Sequence, residues 1–132
     1  MKLLACLLLA ACVFECSAYM QNVTVKGVAH WSWEKRLANV KVELWEKDTL
    51  DPDDLLATIH TNSEGEFTVF GEQDETHAIA PYLLITHNCN VEKLNCNRIG
   101  QYVVPKEKIG ATYDMTYVTL DIKVHGEKEK CK

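Results

Sequence analysis

Between Val23 and Val124 apolar side chains return again and again at every second position, the spacing of strands buried on one face. Val23 and Val25 open the series and run into Gly27-Val28. Val40, Val42 and Leu44 point one way in a second strand, with Lys41, Glu43 and Trp45 on its other face. Leu55, Ala57 and Ile59 alternate with Thr58 and His60, and Phe67 and Val69 follow a turn. Apolar runs at 82–88 and 99–104 come next. The last segment is the clearest, with Val118, Leu120, Ile122 and Val124 inward and Thr119, Asp121 and Lys123 outward.

The connections carry turn chemistry. Asn62-Ser63-Glu64-Gly65 is a hairpin turn with a glycine free to take positive φ. Asp51-Pro52-Asp53-Asp54 suits a turn or one helical turn. Residues 71–80 read as a longer polar connection with a possible helical turn at Asp74–His77. Pro81 and Pro105 fall at strand edges, where a missing N–H does least harm. These features predict an all-β chain, an antiparallel β-sandwich of about seven strands.

Cys89 and Cys96 flank the polar loop between the 82–88 and 99–104 strands and read as a disulfide clasp across that connection, which requires an oxidising compartment. The N-terminus points the same way. Lys2 precedes an unbroken apolar run, Leu3 to Phe14, and Cys16-Ser17-Ala18 offers small residues before a cleavage site. Twelve residues are too few for a membrane-spanning helix. The reading is a signal peptide at 1–18 with cleavage after Ala18, leaving 114 of the 132 residues as one exported domain, 19–132, with a charged C-terminal tail from about 125. The leader takes Cys6, Cys12 and Cys16 with it. Cys131 then stands outside the Cys89–Cys96 pair: free, intermolecular, or paired with one of the other two, and spacing does not decide among these.

A net charge of −5 without a Lys/Arg stripe argues against nucleic acid as a partner. Five histidines, His30, His60, His77, His87 and His125, show no metal-ligand spacing and read as surface or structurally bonded groups. Asp48, Asp51, Asp53 and Asp54 could gather calcium, but the loop lacks the EF-hand glycine and terminal glutamate and reads as a solvated acidic loop. No metal or cofactor is therefore assigned. Ser32 and Ser63 lack a nucleophile elbow. Trp31, Trp33 and Trp45 are candidates for an aromatic contact patch, against the alternative that they cover a sandwich edge or plug one end of the core. Asn22-Val23-Thr24 is a glycosylation sequon.

Several segments carry a resemblance. Val25-Lys26-Gly27, Val40-Lys41-Val42-Glu43-Leu44-Trp45, the acidic stretch 48–56, the hairpin Thr61-Asn62-Ser63-Glu64-Gly65-Glu66-Phe67, and Ile79-Ala80-Pro81 followed by Leu83, Ile85, His87 and Cys89 resemble the transthyretin-like family of secreted nematode proteins. Tyr102 to Ile109 and Thr112-Tyr113-Asp114 complete the pattern. Ala80, Asn88 and Asn62 stand where the family pattern has Asp. Trp31 stands where many members have cysteine, which implies a Cys131 deprived of its usual partner.

The resemblance implies a transthyretin-like sandwich outside the cell. The hydroxyisourate hydrolases of the same superfamily end in Tyr-Arg-Gly-Ser, whereas here the last residues are Glu129-Lys130-Cys131-Lys132, which speaks against that chemistry. The expected function is non-catalytic recognition of an extracellular protein or cell-surface ligand, in one version bridging such a ligand to a receptor. The contact surface would be the tryptophan-bearing sheet face or the loops at 48–54 and 89–96. The alternatives are a hydroxyisourate-hydrolase-like enzyme and a carrier of a small apolar ligand. A monomer without a membrane span is expected, with a dimer through Cys131 as the alternative.

Overall fold

The computed structural model describes residues 19–132 throughout and, before them, the backbone of β1 (Leu3–Leu7) and β2 (Val13–Ser17), which pair antiparallel. The expected leader and its cleavage after Ala18 otherwise lie outside the described residues. From Tyr19 onward the chain forms β3 (Tyr19–His30), β4 (Lys41–Glu46), β5 (Asp54–His60), β6 (Glu66–Glu75), β7 (Pro81–His87), β8 (Cys96–Val103), β9 (Thr112–Thr119) and β10 (Lys128–Cys131), with one 3-10 turn at Lys106–Lys108.

Two sheets stack face to face. One is five-stranded in the order β10-β8-β7-β4-β5, and the other is three-stranded in the order β6-β3-β9. The expected all-β sandwich is what the chain forms. The core lies where the alternation puts it. Val42, Leu44, Leu83 and Ile85 of the larger sheet meet Val23, Val25, Phe67, Val69 and Val118 of the smaller, all at most 5 % exposed. Burying side chains of this size contributes roughly 1.5–3 kcal/mol each.

Gly71 sets how closely β6 approaches the other sheet. A Cβ there would stand 2.8 Å from both Leu44 Cδ2 and Leu56 Cβ. The Asn62–Gly65 turn forms as expected: Asn62 Oδ1 accepts the N–H groups of Glu64 and Glu66, and Gly65 takes φ 74°. Buried Thr61 ties this turn to the β3–β4 connection by donating to Leu37 O and accepting from Val40 N.

Several expectations need correction. β9 runs parallel to β3, so the sandwich is not purely antiparallel. β9 also stops at Thr119, which leaves Ile122 65 % exposed and Val124 half-buried. Within β9 an extra residue enters between the partners of Lys26 and Val28, with Thr116 at φ 61°, and it carries the inward face from Tyr113 and Met115 over to Val118. A bulge between Leu44 and Trp45 turns Leu55 out to solvent and Leu56 in toward the core.

The stretch expected as a polar connection after Gly71 is instead the second half of β6, held by pairing to Tyr19–Val23. There is accordingly no helical turn at Asp74–His77. Buried Gln21 pins the following connection, donating to His77 O and accepting from Ile79 N. The charged tail becomes edge strand β10, in register along β8 from Lys128↔Ile99 to Cys131↔Cys96.

Candidate recognition face and the polar lock behind it

The disulfide joins Cys96 to Cys131, and Cys89 is a buried free thiol, so the expected Cys89–Cys96 clasp is not formed. Extending the β7–β8 register beyond His87↔Arg98 would set Cys89 opposite Cys96, which is why the pairing looks natural from the sequence. The ladder stops first. Cys89 N–H folds back onto His87 Nδ1 at 3.1 Å, Asn90 takes φ 52°, and the Cys89 side chain enters the core. Cys96 meanwhile has Cys131 directly across the ladder on its other side. Of the three alternatives open for Cys131, the structure shows the third, pairing with one of the other two cysteines, here Cys96.

Arg98 organises the interior at this end. It is 2 % exposed and donates to both carboxylate oxygens of Glu127, Nε to Oε2 at 2.6 Å and Nη2 to Oε1 at 3.1 Å, and through Nη1 to Cys89 O. A bidentate, buried pair of this kind fixes geometry as well as charge. Burial works to raise the Glu127 pKa, but the bond and charge of Arg98 outweigh it and hold the carboxyl below its usual range. Burial, reinforced by Arg98, pushes His87 down to about 4. Burial, then Glu127, lifts Tyr102 to about 12, and burial raises the Cys89 thiol. His87 is thus a neutral acceptor, and all three Arg98 nitrogens are engaged within the fold.

The histidines that an enzyme reading would bring together lie on three different strands. His87 is buried at the inner end of β7. His60 is exposed at the end of β5. His30 is buried in the smaller sheet, edge-on to Tyr117 at 4.9 Å.

The tryptophans do not form one patch. The chain leaves β3 at His30 and turns, with Lys35 N–H donating to Ser32 O. Trp31 packs partly against the core beneath Lys35, whose Nζ lies 4.8 Å from the ring centre. Trp33 stands out in solvent at 84 % exposed. Trp45 belongs to another surface, the outer face of the five-stranded sheet. Register partners share a face, so Leu55, Trp45, Tyr82 and Val103 form one row across four strands. Leu55 and Val103 at its ends are 49 % and 71 % exposed. Tyr82 is buried in the row and its hydroxyl donates to Asp53 Oδ2, which fixes the 48–54 loop beside it. Farther along the face a groove of about 440 Å3 is lined by Leu84 and Ile99 and rimmed by Lys41, Glu43, Lys130 and Lys132.

A larger groove, about 550 Å3, lies on the other sheet among exposed Lys26, Glu66, Thr68 and Asp114. Its one ion pair, Lys26 to Asp114 at 3.9 Å, is half exposed on both sides and contributes little. Asn22 is half-buried on β3, its carbonyl accepting the Gly110 N–H. Among the described residues no helix is long and apolar enough to cross a membrane.

Two stacked sheets, a buried ionic lock and an apolar outer face define a β-sandwich module. Residues 33–105 match the Transthyretin-like family. The chain is 74 % identical over 131 residues to Transthyretin-like protein 16 of Caenorhabditis elegans, covering 99 % of this chain and 98 % of that one. It is 33 % identical over 141 residues to Transthyretin-like protein 33 of the same organism, again covering 99 % and 98 %. Of the solved structures, a 9R-lipoxygenase from Cyanothece PCC8801 aligns over 76 % of this chain and 16 % of its own, with TM-score 0.50 and 22 % identity, a likeness of fold alone. The chain belongs to the Transthyretin-like family, as its sequence resemblance implied.

Proposed function

We propose that the protein is exported and works without catalysis, by binding an extracellular protein or cell-surface ligand through the outer face of the five-stranded sheet. The observation that carries this is the row Leu55, Trp45, Tyr82 and Val103. It is an apolar stripe across four strands, open at both ends and continued by a groove with lysines on its rim. Aromatic anchors surrounded by polar groups are the usual make-up of a contact surface. The placement of His30, His60 and His87 on three different strands, and the engagement of Arg98 by Glu127 and Cys89 O, support a reading without hydrolysis. Bridging of a cell-surface ligand to a receptor would use this face together with one of the loops, 48–54 or 89–96, whose tips carry Leu50 and Leu94 in full solvent.

Export follows from the leader expected at 1–18, with Tyr19 as the first mature residue, and Asn22 then becomes available for glycosylation. The test has two arms. N-terminal sequencing of the secreted product should begin at Tyr19. Affinity capture from extracellular fluid should recover a partner with the wild-type domain and lose it with Leu55→Glu/Val103→Glu, while Trp33→Ala retains it. Equal capture by wild type and the double variant would refute the assignment of the face.

A further inference from the structure

Four carboxylates that are scattered in the sequence come together at one end of the sandwich. Glu46 is the last residue of β4, Asp48 follows two residues on, Asp54 begins β5 and Glu75 ends β6. One oxygen from each lies within 4.8 Å of every other. Like charges this close repel strongly where water is scarce.

Glu46 makes the arrangement more than an acidic surface. It is 1 % exposed, and its Oε1 has no hydrogen-bond partner. A buried, unpartnered carboxylate oxygen is costly unless another group or an ion satisfies it. Burial and then the charges of Glu75 and Asp48 raise its pKa against one backbone hydrogen bond from Ala80, and Asp54 adds to the rise, so the charges that act on it are all negative. The surroundings hold the β4–β5 connection and one oxygen of Asp54 in place. Asp48 N–H donates to Asp53 Oδ1 at 3.0 Å, Lys47 N–H donates to Ala80 O, and Gln73 Nε2 donates to Asp54 Oδ2 at 2.7 Å. Asp53 is engaged by Tyr82 and Asp48, and is not one of the four.

We infer that Glu46, Asp48, Asp54 and Glu75 form a binding site for a calcium ion. The ligands are all hard oxygens, as Ca2+ requires. Oxygens on opposite sides of Ca2+ stand roughly 4.6–5.2 Å apart, against about 4.0–4.2 Å for Mg2+. A set already gathered within 4.8 Å can close on Ca2+ with little movement. The ion would neutralise the cluster, satisfy Glu46 Oε1, and fasten β4 and β5 of the larger sheet to β6 of the smaller.

The test uses the secreted full-length mature protein after EDTA treatment, with CaCl2 and MgCl2 as the probes. Isothermal titration calorimetry should show saturable binding of one Ca2+. Millimolar Ca2+ should raise Tm by on the order of 5 °C. Glu46→Gln and Glu75→Gln relieve repulsion, so both should fold, as circular dichroism will show, and both should lose the Ca2+-dependent shift. Asp51→Asn, outside the cluster, should keep it. No heat and no Tm shift with the wild type would overturn the inference, as would an undiminished shift in Glu46→Gln. A Mg2+ shift equal to that of Ca2+ would overturn the assignment of a calcium-sized site.

Discussion

Acid should weaken this fold through one imidazole, and the size of the effect can be worked from its surroundings. His87 is 7 % exposed, with Arg98 beside it and the Cys89 N–H donating to its Nδ1. Glu127 opposes the effect, but its charge is already taken up by Arg98. The folded pKa of about 4 lies below the ordinary value of 6.5. Between those two values the unfolded chain binds a proton that the folded chain does not, so stability rises with pH across the window and falls as pH drops from 6.5 toward 4. At about 1.4 kcal/mol per tenfold difference, the full loss is about 3 kcal/mol, and about 2 kcal/mol has gone by pH 5. Urea unfolding followed by tryptophan fluorescence at pH 7.5 and pH 5 measures it. Other groups titrate in the same range, so the control is His87→Asn, whose Oδ1 can still accept the Cys89 N–H. The wild type should lose about 2 kcal/mol more than the variant between the two pH values. Parallel losses would show that His87 is not held neutral by burial and Arg98, and the account of the polar lock would fail.

Arg98→Ala should cost about 3–5 kcal/mol in the same assay, because it leaves the Glu127 carboxylate and the Cys89 carbonyl buried without their donor. Glu127→Gln keeps a neutral acceptor and should cost less. Non-reducing peptide mapping should recover Cys96 linked to Cys131 and Cys89 as a free thiol. Cys131→Ser should lower stability by about 2–4 kcal/mol. Gly71→Ala should cost about 1–3 kcal/mol, read from thermal unfolding, because the new Cβ meets not only the movable Leu44 Cδ2 but also Leu56 Cβ, which cannot swing away.

The core strands were legible because their faces differ. Val40, Val42 and Leu44, and Leu83 and Ile85, announce a buried side through period two, and each is buried. What the pattern hid was register and partner choice. Leu55 and Leu56 are both apolar, so nothing local says that a bulge sends the first outward. The parallel pairing of β3 with β9 joins segments some ninety residues apart, and alternation carries no direction. β10 has no apolar face at all: Lys128-Glu129-Lys130-Cys131 is recognisable as a strand only beside β8.

The cysteine pairing failed for a related reason. Cys89 falls at the right extrapolated register but beyond the point where the ladder ends. Among the candidate surfaces, Trp45 was rightly placed opposite Val42 and Leu44, whereas Trp31 and Trp33 were separated by a turn after His30. Glu46 and Glu75 could not be joined to the acidic loop from sequence, since only the stacking of β6 beside β5 brings them there.

The last strand has a protective consequence. β10 is four residues long and exposed throughout, so apolar burial does little to keep it in place, and the sulfur bridge to β8 does much of that work. Were the bridge reduced, fraying would turn β8 into an open border of bare amide and carbonyl groups, to which a strand of another molecule could add. The covalent latch at the chain's end thus keeps a short, charged border in place of a longer bare one, and it does so only where thiols stay oxidised.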